Sequence, residues 1–349
     1  MLLPRRHRVA FSMAVAAGLS GISASVSRGQ NIPINVTADS FNYTTVVTAY
    51  DDSYNLVFGG GNPTPVDAEN PVDFFSTDFA NQNGYTGGLT SSAFASAANP
   101  HTTFQLQSFG GNNTMVINAD NASPQSYPAS APYAQTGTIT LATPAPYTSI
   151  SVLSALVEEY DLGSGPLNIG YTLNFTDGSS YSAGGAASFT ANEWDSNAAT
   201  TALSVSRIWV ARTLSGYAGE VDSGYSLNEN DIVIPAADTT KNLASITFFD
   251  PGSGQGGVGG YDQTLPNQFN VYAVSGNQTP TIYTGKDSTD PGSWDTASTS
   301  NFNSPAGAPV AYTDGLAVVF DDTAAGGTTI NIPSTVSPAS VLFNNNGRN

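Results

Sequence analysis

The sequence predicts an all-β protein: a β-sandwich or jelly roll, followed by the first short rungs of a β-helix-like solenoid. Three observations predict it. Only 10% of the 349 residues are charged, while glycine alone contributes 35. That composition is poor in helix formers and rich in turn formers. Residues 167–176 alternate strictly: Leu167, Ile169, Tyr171, Leu173 and Phe175 fall on one face, with Asn168, Gly170, Thr172, Asn174 and Thr176 on the other. Period two with one apolar face is the pattern of a half-buried strand. Residues 316–320, 328–332 and 339–343 are three short apolar runs about a dozen residues apart, the spacing of stacked rungs.

Along the chain, Phe41–Val47 and Asn55–Phe58 read as strands. Thr103–Leu106 and Thr114–Ile117 read as a pair around the Gly110–Asn113 turn, and Ser123–Pro132 as a loop. Thr138–Leu141 is a short strand. Ile150–Val157 is apolar on both faces, which suits a central strand. After the Leu167–Thr176 strand, Asp177-Gly178 supplies a hairpin turn and Tyr181 begins the return. Val205–Ala211, Asp231–Ile234, Ala244–Phe249 and Phe269–Val274 complete the first domain, residues 30–276. Residues 277–294 lack periodicity and read as a linker. Residues 295–349 are the rungs. Leu316, Val318, Phe320, Ile330, Ile332, Val341 and Phe343 are expected to point inward.

Residues 1–29 are unlike the rest. Arg5, Arg6, His7 and Arg8 form a basic start, Val9–Val26 is uncharged and apolar, and Ser25, Val26 and Ser27 supply small residues. This is the order of a secretory signal peptide. Gly18, Ser20, Gly21 and Ser23 interrupt the apolar run and favour cleavage over a stable span. Cleavage removes four of nine basic residues and none of the 27 acidic ones, so five against 27 leaves a charge near −22. A chain this acidic repels phosphate backbones, so nucleic acid is excluded as a partner. The mature chain is expected to have no transmembrane helix. There is no cysteine, so disulfides and thiolate metal sites are excluded.

Catalytic signatures are scarce. Past the leader the single histidine is His101, and neither a G-x-S-x-G elbow nor an H-E-x-x-H pair occurs. Glu158 and Glu159 are adjacent and would point to opposite faces of a strand. A glycosidase would need a long-range carboxylate pair, such as Glu193 with Asp250. The Gly-rich run Pro251–Asp262 lacks the lysine of a phosphate loop. Asp222–Asp231 resembles a calcium loop without its glycine or closing glutamate. Asp250, Asp262, Asp287 and Asp290 are the candidates for a calcium site, and calcium is the one cofactor the sequence admits. For ligand binding the candidates are aromatic. Arg207 and Trp209 share a strand face, and Trp194 lies between Glu193 and Asp195. Stacking of a sugar ring on tryptophan, with Arg207 bonding its hydroxyls, is weighed against core packing with the arginine stem snorkelling outward.

Trp294-Asp295 through Asn301-Phe302, then Asp314 to Asp322, then Val336-Ser337-Pro338-Ala339-Ser340-Val341, resemble an autotransporter-associated β-strand repeat. Thr103–Leu106 with Gly111-Asn112-Asn113, the Thr138–Tyr147 run, Phe175–Ser179 and Trp194-Asp195 are similar to the N-terminal sandwich of exported bacterial proteins that often carry such repeats or a PEP-CTERM sorting tail. The resemblance implies a β-sandwich followed by a right-handed β-helix, at or beyond the envelope. It supplies no catalytic residues, and no sorting tail or outer-membrane barrel is seen here.

The expectation is therefore a secreted or cell-surface structural or adhesion protein, not an enzyme. The alternatives are a carbohydrate-binding module of an envelope protein and, more remotely, a polysaccharide-degrading enzyme. Expected partners are extracellular polysaccharide or other surface proteins. N-terminal sequencing of the exported protein should begin near residue 30. Exported protein that retains Met1 would contradict the leader reading.

Overall fold

Strict alternation at residues 167–175 places five apolar side chains on one side of one strand. The computed structural model describes residues 30–50, 56–58, 72–118, 134–157, 167–184, 188–195, 198–213, 216–249, 268–296, 298–325 and 329–344. The leader, the Ser123–Pro132 loop, Glu158-Glu159 and the Asp250–Asp262 segment lie outside these residues. Two compact units emerge, one of Gln30–Asn277 and one containing Gln278–Asn349.

The first unit runs β1 (Ile32–Pro33), β2 (Val46–Tyr50), β3 (Leu56–Phe58), β4 (Val72–Phe75), α1 (Thr77–Asn83), β5 (Ala93–Ala95), β6 (Thr103–Gln105) and β7 (Met115–Asn118). It continues with β8 (Thr136–Val157), β9 (Leu167–Phe175), β10 (Ser180–Ala183), β11 (Phe189–Ala191), β12 (Thr201–Thr213), β13 (Gly216–Val233), β14 (Asn242–Phe249) and β15 (Gln268–Gln278). The fold is all-β with several sheets, and none of them closes among the described residues.

β8 organises this unit. Its first half, Thr136–Pro146, pairs antiparallel with β14, and Ser149–Ser154 then pairs antiparallel with β13. Thr138–Leu141 and Ile150–Val157 are thus one strand. Pro144 falls in the register shift of the β8–β14 ladder, between Thr140 and Ala145, and Pro146 ends that ladder opposite Asn242. Proline has no N–H to give to a ladder, so a shift and an end are cheap places for it. On one side lie β14, β9 and β10; on the other β13, β12, β4, β2 and β3, while β15 also pairs with β8. Ile150, Val152, Leu153, Ala155 and Leu156 are wholly buried, as a strand apolar on both faces requires.

β9 keeps its expected register. Leu167, Ile169, Tyr171, Leu173 and Phe175 are buried, and Asn168, Thr172 and Asn174 are half-buried. Asp177 accepts the Ser179 N–H at 2.9 Å, and Gly178 takes a φ of 82°, closing the turn into β10. Phe248 of β14 and Phe269 of β15 meet at 5.8 Å between centroids, with Phe189 of β11 touching both. These rings join strands from the two branches of the sheet into one apolar layer.

Three expectations change. β6 pairs with β5 and β7 pairs with β15, so Thr103–Leu106 and Thr114–Ile117 are not partners. A turn between two strands does not oblige them to pair when each finds a better apolar neighbour. Asp222–Asp231 is part of β13 and not a loop, because β12 holds it across a long hairpin. α1 was not foreseen. Ser76 caps it by accepting the Phe79 N–H at 3.1 Å, and Gly84 closes it at a φ of 72°.

The second unit contains β16 (Thr281–Tyr283), β17 (Phe302–Asn303), β18 (Pro309–Val310), β19 (Ala317–Asp321) and β20 (Ser340–Asn344), ordered β18-β17-β16-β19-β20. β16, β19 and β20 are parallel, with Ile282 beside Val319 and Val319 beside Leu342. Ser293 also bridges Asn331 in parallel. Residues 281–294 therefore contribute a strand and a bridge to this unit. Tyr283, Trp294, Phe302, Tyr312, Val318 and Phe320 form its core, with Leu316 and Ile330 packed against it. Ile332, Val341 and Phe343 were expected inside but are 48%, 39% and 68% exposed. β20 lies at the end of the sheet, and Phe343 stacks on Phe320 at 5.1 Å with its outer side uncovered.

Leu173 is wholly buried, so Leu173→Ala should lower stability by about 2–5 kcal/mol through the cavity it leaves. Asn174→Ala gives up two long side-chain bonds, to Ser245 and Thr247, and should cost about 1 kcal/mol or less. Denaturant melts of the two variants should keep that order.

Candidate functional site

β12 and β13 are joined by a ladder with a bulge between Val205 and Ser206. The bulge sits next to Arg207 and Tyr225. The Arg207 guanidinium carbon lies 4.2 Å from the Tyr225 ring centroid and 5.4 Å from that of Trp194. A guanidinium at this distance from an aromatic face is held by a cation–π attraction. Trp194 is 4% exposed and packs 4.6 Å from Tyr225 and 5.7 Å from Phe74. Its N–H donates to the Leu156 carbonyl, and Asn228 donates to the Glu193 carbonyl, so the 192–194 segment is fastened between β8 and β13. The structure thus brings together Arg207 and Trp194, which lie 13 positions apart in sequence. Of Trp209 only the backbone is described, paired with Glu220 and Val72.

The same face of β13 carries a residue the sequence reading passed over. Glu229 is 5% exposed, and neither carboxylate oxygen has a hydrogen-bond partner among the described residues. Asn270 of β15 is wholly buried and its carboxamide is equally without a partner, as is the Gln268 Oε1. Burial of such groups is expensive unless ordered water or a polar ligand satisfies them. The signal available was the polar run Asn228–Asp231 inside a long strand.

The acidic candidates divide. Asp250 and Asp262 lie outside the described residues. Asp287 accepts from the Thr289 N–H and hydroxyl, the Asp290 N–H and, on its other oxygen, the Ser300 N–H. Four donors occupy the lone pairs a carboxylate can offer. The Thr289 hydroxyl, then the backbone N–H groups of Ser300, Thr289 and Asp290, hold its carboxyl well below the usual carboxylate range. In this arrangement Asp287 fastens a turn. Asp290 contributes its carbonyl, which accepts from the Asn301 side chain at 2.7 Å. No group of three or more His, Asp or Glu side chains with metal-binding spacing occurs among the described residues. His101 is exposed, and Glu193 is half-buried.

The residues that carried the repeat resemblance have physical roles. Asn301 is wholly buried; its side chain donates to the Asp290 and Ser293 carbonyls and accepts the Asp287 N–H. Asp295 accepts the Ser298 and Thr299 N–H groups. Asp314 accepts the Ser337 N–H at 2.7 Å, while the Ser337 carbonyl accepts the Gly315 N–H at 2.8 Å. Trp294 and Phe302 fill the core between these clamps. No protein family, curated protein or solved structure matches the chain. No helix among the described residues is long and apolar enough to cross a membrane.

Because its folded pKa is depressed, Asp287 should contribute stability that is complete above the unfolded value of 3.8. That stability should disappear as the pH falls from there through the folded value. Thermal melts between about pH 2 and 7 should show this acid-side loss for the second unit, and Asp287→Asn should flatten it.

Proposed function

We propose that the chain is a non-enzymatic secreted or cell-surface protein with a structural or adhesive role. In this reading the first unit is a β-sandwich or jelly roll and the second begins a right-handed β-helix. The observation that carries it is the parallel ladder β16-β19-β20. Thr281 lies beside Val318, 37 positions on, and Ala317 beside Ser340, 23 positions on. The Ser293–Asn331 bridge repeats the longer step at 38. Parallel strands recurring after a loop, each tied by an Asp or Asn clamp, are the building principle of solenoids, whose extended sides serve as binding surfaces. The repeat motif that the sequence resembles falls on these strands and clamps. The basic and apolar leader of residues 1–29 supports export.

A carbohydrate-binding reading draws on the Arg207, Tyr225 and Trp194 cluster. The burial of Trp194 counts against it, since sugar stacking requires an open ring face.

The test is a glycan array on the purified full chain, with and without calcium, beside incubation with soluble polysaccharides. The structural reading expects polysaccharide chain lengths to stay unchanged and no glycan signal that Arg207→Ala abolishes. A calcium-independent glycan signal lost in Arg207→Ala would transfer the assignment to carbohydrate binding. Shortened polysaccharide chains would overturn both.

A further inference from the structure

We infer that Glu229 and Asp231 of β13 bind a calcium ion beneath the tip of the β5–β6 hairpin. This goes beyond the structural role above and does not depend on it.

The first observation is Glu229 itself. It is 5% exposed, and neither carboxylate oxygen has a hydrogen-bond partner among the described residues. A carboxylate taken out of water needs a counter-charge. Two basic groups of the same unit are engaged elsewhere: Lys241 bonds Asp238 at 2.8 Å, and the Arg207 guanidinium lies over the Tyr225 and Trp194 rings.

A second carboxylate lies on the same strand face. The ladder of β13 with β8 is unbroken from Asn228 to Val233, so Glu229 and Asp231 point the same way with about 6.7 Å between their Cα atoms. Asp231 is directly opposite Ser151, whose hydroxyl donates to its Oδ1. The Asn31 side chain donates to Ser151 at 2.7 Å and to Thr102 at 3.3 Å. Asn31, Ser151 and Thr102 are all buried. This chain of bonds orients Asp231 and gathers neutral oxygens around it, the Asn31 Oδ1 and the Thr102 hydroxyl among them.

The hairpin roofs this stretch. Its tip is closed by the Ser96 N–H on the Thr102 carbonyl. On one side the Ala97 N–H donates to the carbonyl of Ala202 in β12, at 2.9 Å. On the other, Asn31 donates its N–H to the His101 carbonyl and reaches Ser151 of β8 through its side chain. β13 runs between β12 and β8, and its residues between these two tethers are Asn228–Asp231. Glu229 is thus covered, while Asp231 is exposed at the rim and gives an ion a way in.

Two carboxylates with amide, hydroxyl and carbonyl oxygens form an all-oxygen set of mixed geometry. Calcium accepts six to eight such ligands in a flexible arrangement, whereas magnesium demands a tight octahedron and keeps its water. A low ligand charge places the affinity at the weak end, about 10⁻⁴–10⁻³ M. The ion would fasten the separate two-stranded β5–β6 sheet onto the main one.

The test uses the full chain, stripped with a chelator. Calcium chloride at about 10 mM should raise the melting temperature of the first unit by several degrees, and magnesium chloride should do little. Amide exchange within residues 93–105 should slow roughly tenfold with calcium. Glu229→Gln keeps the side-chain shape and removes the charge. It should melt no lower than wild type without calcium, and calcium should no longer raise it. Asp231→Asn, at the exposed rim, should stay folded and weaken the calcium response roughly tenfold. Asp287→Asn, in the second unit, should leave that response intact. A wild-type protein that ignores calcium would overturn the proposal, as would an equal response to magnesium. So would a full calcium response in Glu229→Gln or in Asp231→Asn. A Glu229→Gln variant that melts well below wild type without calcium would show that protein groups already satisfy the carboxylate, and would overturn it too. None of these readouts involves a glycan, so failure here is separable from failure of the structural role.

Discussion

Short polar side chains bonding to backbone are the interaction on which the second unit depends. It has a small core, and much of its chain is neither strand nor helix. Backbone polar groups in such segments must still be paired when they leave water. Asn301 does this from inside, satisfying two carbonyls and one N–H with a single carboxamide. Asp287, Asp295 and Asp314 do it from the turns, each accepting backbone N–H groups. The Phe302, Tyr312 and Phe320 rings can then pack around Trp294, Tyr312 edge to face and the other two tilted, because the loops that carry them are fixed. The acidic character of the chain thus has a local use beyond solubility.

In the first unit the corresponding constraint is the continuity of β8. One strand serves two sets of neighbours, so β14 and β9 on one side and β13 and β12 on the other are positioned by the same backbone. The aromatic contacts of Phe189, Phe248 and Phe269 are possible because of that sharing. The Arg207 cluster follows from it as well. Trp194 is fastened to the end of β8, and Tyr225 lies on β13, so the guanidinium meets both rings at one end of the apolar layer formed with Leu153 and Leu227. Glu229, on the same strand as Tyr225, adds a buried carboxylate to the strand that carries this cluster.

The two units are built from different kinds of strand pairing. The first unit is held by a few long antiparallel strands, β8, β12 and β13 above all, with shorter strands at its margins. The second combines a parallel run, β16-β19-β20, with the antiparallel β17 and β18.

Strand identity was legible in the sequence wherever one face is buried and the other is not. The alternation of Leu167–Phe175, the Asp177-Gly178 turn and the inward Leu316, Val318 and Phe320 were fixed by local pattern, because side-chain direction along a strand has period two. Composition together with that alternation set the all-β class. Partnership was not legible. Whether β6 pairs with β5 or β7, whether Thr138–Leu141 and Ile150–Val157 are two strands or one, and whether Asp222–Asp231 loops or extends depend on which distant strand offers the better apolar neighbour. The short α1 was hidden for the opposite reason: its Ser76 and Gly84 caps are single residues in a chain full of serine and glycine. The sequence named Arg207 and Trp194 but could not bring them together, because their contact is made across β12, β13 and the end of β8. Nor could it tell that Val341 and Phe343 share the register of Val318 and Phe320 yet remain exposed. Periodicity says which side a residue faces, and only the tertiary structure decides whether anything lies there.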